Sequence, residues 1–226
     1  MRPCHPPEVD LSFPLAYRRG MSDSRCRRAV VLARGLGSRM RRAADAALDA
    51  TQARVADTGV KAMIPIGRPF LDYLLTALAD AGITAVSLVI GPEHGVIRDY
   101  YTSKVVPSRL QIDFAVQERP LGTADAVLAA ESAAAGEPFL AINSDNYYPP
   151  AVLAAVRALD GPGLAAFDPE ALVRLGNISA SRVGAYAVLD VDENGSLRRI
   201  VEKPDESTWA AIGRKAPVSM NCWRFG

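Results

Sequence analysis

A pair of glycines between an apolar run and an alanine-rich run constrains the fold of this chain most strongly. Ala29 to Ala33 form an apolar segment that is typical of a short buried strand. Gly35 and Gly37 follow it, and Ser38 opens a segment of helical character. Glycine lets the backbone turn tightly and approach a ligand, while the free N–H groups at a helix start point at anionic oxygens. The stretch therefore predicts an α/β fold that holds a phosphate at a strand-to-helix turn.

The same turn is compatible with two other interpretations. An ordinary tight turn without a ligand also places glycines after a strand. A dinucleotide-binding turn needs a third small residue, where this chain has Met40, and an acidic residue about twenty positions further on, after a second strand. Asp57 lies near that distance, but the alanine-rich residues 43–56 predict a helix before it. These features weigh against a dinucleotide site.

Composition and charge narrow the class of protein. The 226 residues are 49% hydrophobic, which is enough to bury the core of one large or two small domains. A formal net charge of +1 is too small to create an electrostatic field that would attract nucleic acid or a membrane surface. No apolar run approaches the roughly 18 residues of a membrane span. The three cysteines have no paired spacing that would indicate a disulfide framework or a zinc site. We expect a cytoplasmic protein without nucleic-acid or membrane partners.

Beyond the glycine turn, predicted strands alternate with predicted helices. After a first helix to about residue 58, the patterns favour helices at 70–81, 93–101, 123–134 and 150–159 and strands at 85–90, 112–116, 138–142 and 164–167. This alternation predicts a largely parallel sheet with helices on both faces. Such sheets bind ligands at the carboxyl ends of their strands. Useful groups lie at three such ends, namely the Gly35 turn, Gln117 with Gly122, and Asp145.

The alternation of predicted strands and helices ends in the last third of the chain. Apolar runs at 183–189 and 197–201 flank a segment that contains Asn194-Gly195, and this pattern favours a hairpin. The segment also begins like a calcium loop. The twelfth position of such a loop should carry a bidentate glutamate, and here it is Val201. We therefore predict a turn without calcium.

Taken in this order, the motifs resemble those of the sugar-1-phosphate nucleotidyltransferases, also called NDP-sugar pyrophosphorylases. The resemblance runs from about Arg28 to the end of the chain. It rests on Leu-Ala-Arg-Gly-Leu-Gly-Ser-Arg-Met at 32–40, Lys61 before Ile-Pro-Ile, Gln-x-x-Pro-Leu-Gly-Thr-Ala at 117–124, Asn-Ser-Asp-Asn at 143–146, Gly184, and Val-Glu-Lys-Pro at 201–204. It implies a Rossmann-like three-layer fold with a mostly parallel, mixed central sheet. It also implies Mg²⁺-dependent transfer of a nucleotidyl group from an NTP to a sugar 1-phosphate, with release of pyrophosphate.

The resemblance further implies a role for each matching residue. Arg39 and Lys61 would be catalytic cations at the phosphates, and Asp145 would bind Mg²⁺. The residues implied to bind the nucleotide are Leu32, Ala33, Gly35, Gly37, Gln117 and Gly122. Those implied to bind the sugar and its phosphate are Gly184, Glu202, Lys203 and Asn221. The reaction brings two anions together, so cations around one phosphorus are what its chemistry requires.

The chain has an unusual N-terminus and departs from the family pattern at two places. Residues 1–27 show no periodicity, and we expect a disordered N-terminal extension with Met21 as the natural start. Twenty-two positions separate Arg39 from Lys61, which is more than the family usually has. The domain at 28–226 lacks the later aspartate that supplies a second Mg²⁺ ligand in family members, so we expect it to be incomplete at its C-terminus. A catalytically inactive domain that binds nucleotide or sugar phosphate is therefore the alternative. The sequence leaves the base, the sugar and a homo-oligomeric state open.

Overall fold

A computed structural model describes residues 26–35, 60–176 and 178–226. The predicted helix up to residue 58 and nearly all of the predicted N-terminal extension lie outside these ranges. Cys26 and Arg27, at the end of that extension, belong to the packed fold. Cys26 is buried, and the Arg27 carbonyl accepts hydrogen bonds from the backbone N–H groups of Thr84 and Ala85.

Strands and helices alternate along the described chain. The strands are β1 Arg28–Leu32, β2 Pro65–Ile66, β3 Arg68–Pro69, β4 Ala85–Ile90, β5 Gln111–Val116, β6 Phe139–Asn143, β7 Gly163–Phe167, β8 Ala187–Val191, β9 Leu197–Val201 and β10 Val218–Phe225. The α-helices are α1 Phe70–Asp80, α2 Gly95–Asp99, α3 Thr123–Ala129, α4 Glu131–Ala134, α5 Pro150–Arg157, α6 Pro169–Leu175, α7 Ala180–Val183 and α8 Glu206–Ile212. A 3₁₀ turn covers Lys61–Met63, and a π-helical turn at Tyr100–Lys104 follows α2. None of the helices in the described ranges combines the length and apolar character that a membrane crossing requires.

The central sheet has eight strands and is mixed, which confirms the predicted fold class. Strands β5, β4, β1 and β6 are parallel neighbours in that order. Strand β10 then runs antiparallel to β6, β7 and β8, and β9 runs antiparallel to β8. Six of the eight strands therefore point the same way, so their polar ends can meet at one edge of the sheet.

Strand β10 joins the two halves of the sheet. Near Trp223 it pairs with β6 on one side and β7 on the other, whereas at Val218 and Ser219 it pairs with β7 and β8. Strand β8 thus follows β6 along the same side of β10. The β8–β9 hairpin consequently stands beyond the carboxyl end of β6, on the side of the sheet where ligands bind in this architecture.

Helices cover both faces of the sheet, as predicted. One face packs on α1 and α5, whose leucines join alternate residues of β1, β4 and β6 in the larger core. The other face packs on α3 and α4 through a smaller cluster that contains Val30, Val89, Ala126 and Ala130. Consecutive residues of β1 and β4 are buried and point to alternate faces of the sheet, which explains how one strand serves both cores.

Three predicted elements differ from those observed. The helix predicted at 123–134 is two short helices that meet at Ala130, and the helix predicted at 93–101 begins at Gly95 and ends in the π turn. The strand predicted from Val183 begins only at Ala187. Val183 instead ends α7, where its N–H donates to the carbonyl of Ser179, and it is buried from that position. An apolar run alone therefore does not separate a helix end from the strand that follows it.

Candidate functional site

A cleft of about 360 Å³ opens at the carboxyl ends of β1, β5 and β6. The 3₁₀ turn at Lys61–Met63 forms a further part of its wall, because buried Ala62 and Met63 anchor that turn and leave the Lys61 side chain partly exposed. The predicted site residues that line this cleft are Leu32, Ala33, Gly35, Lys61, Gln117, Gly122 and Asp145. Segments up to about 110 residues apart in sequence therefore meet at one edge of the sheet.

The other predicted site residues are not in the wall of this cleft. Gly184 follows α7, Glu202 and Lys203 follow β9, and Asn221 lies within β10. The two remaining predicted residues, Gly37 and Arg39, lie outside the described residues. The structure thus brings together the predicted nucleotide, lysine and metal positions, and places the predicted sugar positions on a separate set of elements.

Lys61 and Asp145 face each other across the cleft. The Lys61 Nζ atom lies 3.5 Å from Asp145 Oδ2, and the side chains are 30% and 41% exposed. The Asp145 loop is held to β1 by the N–H of Ser144, which donates to the Leu32 carbonyl at 3.2 Å. An exposed pair of this kind adds little to stability. Its position makes a cation and a carboxylate available at the same point of the cleft.

The residues around Asp145 fit a magnesium ion that is shared with a substrate. Asp145 presents one partly exposed carboxylate to the cleft. No cluster of three or more His, Cys, Asp or Glu side chains with metal-binding geometry occurs in the ranges the structure covers. Mg²⁺ is commonly held by one or two carboxylates together with waters and substrate phosphates. The donor set therefore suits Mg²⁺ brought in with a phosphate ligand, and does not suit a closed zinc site.

The side-chain amide of Gln117 is buried, and both hydrogens of its nitrogen are donated to protein acceptors. It is 4% exposed. Its Nε2 atom donates to the carbonyl of Gly122 at 3.1 Å and to Asp125 Oδ2 at 2.7 Å. These bonds hold the loop between β5 and α3 in one conformation, with Gln117 at its start and Gly122 before the helix.

The two glycines of the cleft keep backbone accessible. A Cβ built at Gly35 or at Gly122 would meet no atom within 4 Å, so both face open space. Gly122 also has a φ of +110°, a conformation that disfavours any side chain. Backbone N–H and carbonyl groups at these positions can approach a flat or anionic ligand closely.

A buried tyrosine connects the loop after β6 to β10. The Tyr148 hydroxyl donates to the Met220 carbonyl at 2.5 Å, and Asn146 Nδ2 donates to the same oxygen at 3.0 Å. Asn221, the next residue, has a φ of +59° and lies where the pairing of β10 shifts. The contact therefore places Asn221 beside the loop that carries Asp145.

Lys203 and Glu202 lie at the end of the β8–β9 hairpin. Val201 pairs with Val188, and Val188 pairs in turn with Val218 of β10. The end of β9 is thus level with the start of β10, close to the irregular stretch around Asn221. Lys203 has a φ of +48°. Left-handed backbone at non-glycine residues is uncommon and is concentrated at functional sites.

Arg34 is a cleft residue to which the sequence alone assigned no role. Its side chain is 9% exposed. Its Nη2 atom donates to the Glu118 carbonyl at 3.2 Å, and its Nε atom lies 3.7 Å from Glu93 Oε1. The arginine thus links the ends of β1, β4 and β5. The sequence signal was an arginine directly before the first glycine of the turn.

His94 lies behind Arg34 and is almost completely buried. Its Nδ1 atom accepts the backbone N–H of Gly91 at 3.3 Å. Burial lowers the pKa of the His94 imidazole below its ordinary value, and the nearby Glu93 carboxylate acts in the opposite direction. A buried imidazole that accepts a backbone N–H in this way has a structural role.

Comparison with known proteins shows which family the chain resembles. The family model described as Nucleotidyl transferase matches residues 28–214. A glucose-1-phosphate thymidylyltransferase from Streptomyces antibioticus is 30% identical over 190 residues, which are 82% of this chain and 48% of that protein. The low-salt glycan biosynthesis nucleotidyltransferase Agl11 from Haloferax volcanii is 26% identical over 184 residues, 79% of this chain and 45% of that protein. The chain spans about half the length of these curated relatives.

Solved structures share the architecture. A UDP-glucose pyrophosphorylase solved with UDP-glucose aligns with a TM-score of 0.66 at 17% identity, over 88% of this chain and 76% of that one. The UDP-glucose pyrophosphorylase from Acinetobacter baumannii aligns with a TM-score of 0.65 at 19% identity, over 88% and 74%. At these identities the likeness shows the fold alone. Because the family model covers most of the chain, this chain belongs to the nucleotidyl transferase family.

Proposed function

We propose that the protein transfers a nucleotidyl group from an NTP to a sugar 1-phosphate, giving an NDP-sugar and pyrophosphate in a Mg²⁺-dependent reaction. The observation that carries this proposal is the meeting of Lys61 and Asp145 at 3.5 Å in a cleft that also contains Gln117 and Gly122. A cation, a metal-binding carboxylate and a base-sized apolar and amide surface are the parts that this reaction needs.

The nucleotide would lie along the ends of β1 and β5. The open backbone at Gly35 is where the start of the triphosphate would approach, and Gly37 and Arg39, further along the chain, would also contact it. Leu32 and Ala33 lie beneath that position at the end of β1. The base would lie against Gln117 and Gly122, where open space adjoins a buried amide.

The chemical step needs charge neutralisation more than a covalent catalyst. A phosphate oxygen of the sugar 1-phosphate forms a bond to the α-phosphorus, and the bond from that phosphorus to the oxygen bridging to the β-phosphate breaks. The electron pair leaves with pyrophosphate. The Lys61 ammonium would lower the repulsion between the two anions, and Arg39 would act on the departing phosphates. When Mg²⁺ is bound at Asp145 it would supply further positive charge to the phosphate oxygens.

The sugar phosphate would enter from the side of the β8–β9 hairpin. Glu202 would accept hydrogen bonds from sugar hydroxyls, and Lys203 would meet the phosphate. Gly184 and Asn221 would complete this half of the site. The relative named for glucose 1-phosphate supports a sugar phosphate as the acceptor class.

Pyrophosphate release tests the proposal directly. The protein is incubated with Mg²⁺, each of five NTPs and a panel of sugar 1-phosphates, and pyrophosphate is measured with time. We expect release that needs one NTP, one sugar 1-phosphate and Mg²⁺ together, and that is lost in Lys61→Met. Stabilisation by an NTP without pyrophosphate from any pair would instead support an inactive binding domain. Fluorescence titration with NAD(P)H tests the dinucleotide alternative, for which we expect no binding.

A further inference from the structure

We propose that Asp125 is a positioning residue that fixes the orientation of the Gln117 side-chain amide and thereby decides which nucleobases the cleft accepts. Asp125 lies in the first turn of α3 and does not line the cleft. It acts through Gln117, which does. The inference rests on the proposed function in taking the surface around Gln117 as the base subsite.

The amide of Gln117 has only one orientation that satisfies its neighbours. Nε2 donates to the Asp125 carboxylate at 2.7 Å and to the Gly122 carbonyl at 3.1 Å. A carboxylate and a carbonyl only accept hydrogen bonds. Rotation of the amide by half a turn would bring Oε1 against two acceptor oxygens in a position that is 4% exposed, where water cannot replace the lost bonds.

This orientation decides what Gln117 offers a ligand. Both hydrogens of Nε2 are used within the protein, so the group left for a base is the acceptor Oε1. A base is therefore favoured when it presents an N–H to this point, and disfavoured when it presents a ring nitrogen or carbonyl lone pair. Sites built around a buried hydrogen-bonding group discriminate strongly against a partner of the wrong polarity.

Asp125→Asn removes the carboxylate that fixes the orientation of the Gln117 amide, and it changes the shape of the side chain little. Asparagine can turn its own amide so that a donor faces Gln117. The flipped Gln117 amide is then opposed by the Gly122 carbonyl alone, so that both orientations become populated and either Oε1 or Nε2 can face the base. Equilibrium binding of ATP, CTP, GTP, UTP and TTP is measured with Mg²⁺ for the wild type and the variant. We expect the ratio between the tightest and weakest Kd to shrink about tenfold, with little change in melting temperature. Asp113→Asn is the matched control. It removes an exposed carboxylate from β5, the strand that precedes Gln117, and should leave the ratio unchanged.

Two results would overturn the inference. One is an unchanged ratio in Asp125→Asn, and the other is a uniform loss of affinity for all five nucleotides, which is what a purely structural role would give. Asp125→Ala is the second variant if the asparagine protein does not fold. It leaves only the Gly122 carbonyl to hold the amide and should give a smaller relaxation in the same direction.

The same experiment separates this inference from the proposed function. If the wild type binds no triphosphate, or binds all five equally, both amide control of base choice and the base subsite itself are wrong. If it binds with a preference that Asp125→Asn relaxes, yet releases no pyrophosphate with any sugar 1-phosphate, the inference stands and the proposed reaction is wrong.

Discussion

In the proposed reaction, single residues of the cleft act at little expense to stability. Lys61 and Asp145 are partly exposed, and their ion pair is 3.5 Å long. Surface pairs of this kind contribute about 0–1 kcal/mol to folding. Each can therefore be replaced with the fold intact, so activity and stability can be separated in the same variant.

Replacement of Lys61 by methionine should reduce the rate of pyrophosphate release far more than stability. Loss of one preorganised charge at a reacting phosphate is expected to lower kcat about 10²–10³-fold. The midpoint of thermal unfolding should move by only a few degrees, as measured by calorimetry. Lys104→Met, at an exposed lysine of the π turn, is the matched control and should behave as the wild type. A parallel loss of fold and rate in Lys61→Met would assign the lysine a structural role.

Replacement of Asp145 by asparagine should weaken the dependence on metal. The amide keeps the shape but loses the negative charge that attracts Mg²⁺. We expect the Mg²⁺ concentration for half-maximal activity to rise at least about tenfold, and Mn²⁺ binding followed by electron paramagnetic resonance to weaken in the same variant. Asp160→Asn changes an exposed aspartate elsewhere and serves as control. Superimposable Mg²⁺ titrations would remove Asp145 from the metal site.

The burial of His94 predicts a pH dependence of stability. Its pKa is lower in the folded protein than in the unfolded chain, mainly because burial disfavours the imidazolium. The unfolded state therefore takes up a proton more readily, so this contribution is complete above the ordinary histidine pKa of about 6.5 and is lost as the pH falls below it. His94→Asn can still accept the Gly91 N–H. Urea unfolding between pH 8 and 5 should show a steeper loss of stability in the wild type than in the variant, and equal slopes would contradict this account.

At the scale of elements, the connection between the loop after β6 and β10 decides where Asp145 lies. The loop is held by Tyr148 and Asn146 on one carbonyl of β10, and the two residues that follow in β10 are part of an irregular pairing. The sugar side of the proposed site depends on this same irregular stretch. The two halves of the cleft edge are therefore coupled through β10.

Tyr148→Phe should loosen this connection without emptying the core. The ring remains and fills the same volume, while the hydroxyl that donates to the Met220 carbonyl is lost. Asn146 still donates to that oxygen, so we expect about 0.5–1.5 kcal/mol of lost stability. We also expect a higher Mg²⁺ requirement, because the Asp145 loop is less well held. Denaturant unfolding and the Mg²⁺ titration measure the two effects, and unchanged values for both would show that the loop is held by other contacts.

The elements were predictable where periodicity was strong and uncertain where alanine dominates. The leucines of α1 and the β-branched residues of β4 gave bounds within one residue of those observed. The alanine-rich stretch around Ala130 has helical propensity throughout, yet two helices form, because the backbone of buried Ala130 leaves the helical conformation. The π turn after α2 and the helix end at Val183 depend on tertiary packing, which local patterns do not contain.

At the scale of the whole molecule, the sequence was sufficient to predict where the cleft lies. It was not sufficient to predict where the β8–β9 hairpin stands relative to that cleft. Parallel strands separated by helices fix one edge where Gly35, Gln117 and Asp145 must meet. The placement of β8 after β6 along β10 depends on antiparallel pairing across many residues, and no local signal records such pairing. The role of Arg34 was missed because its contacts with Glu118 and Glu93 form only when the three strands are assembled.

A crystal structure of the protein with Mg²⁺ and a non-hydrolysable NTP tests the central claim most directly. We predict the base against Gln117 and Gly122, the triphosphate at the turn after β1, and the α-phosphate between Lys61 and a metal bound to Asp145. A nucleotide bound elsewhere, with Lys61 and Asp145 still paired and no metal beside them, would contradict the account.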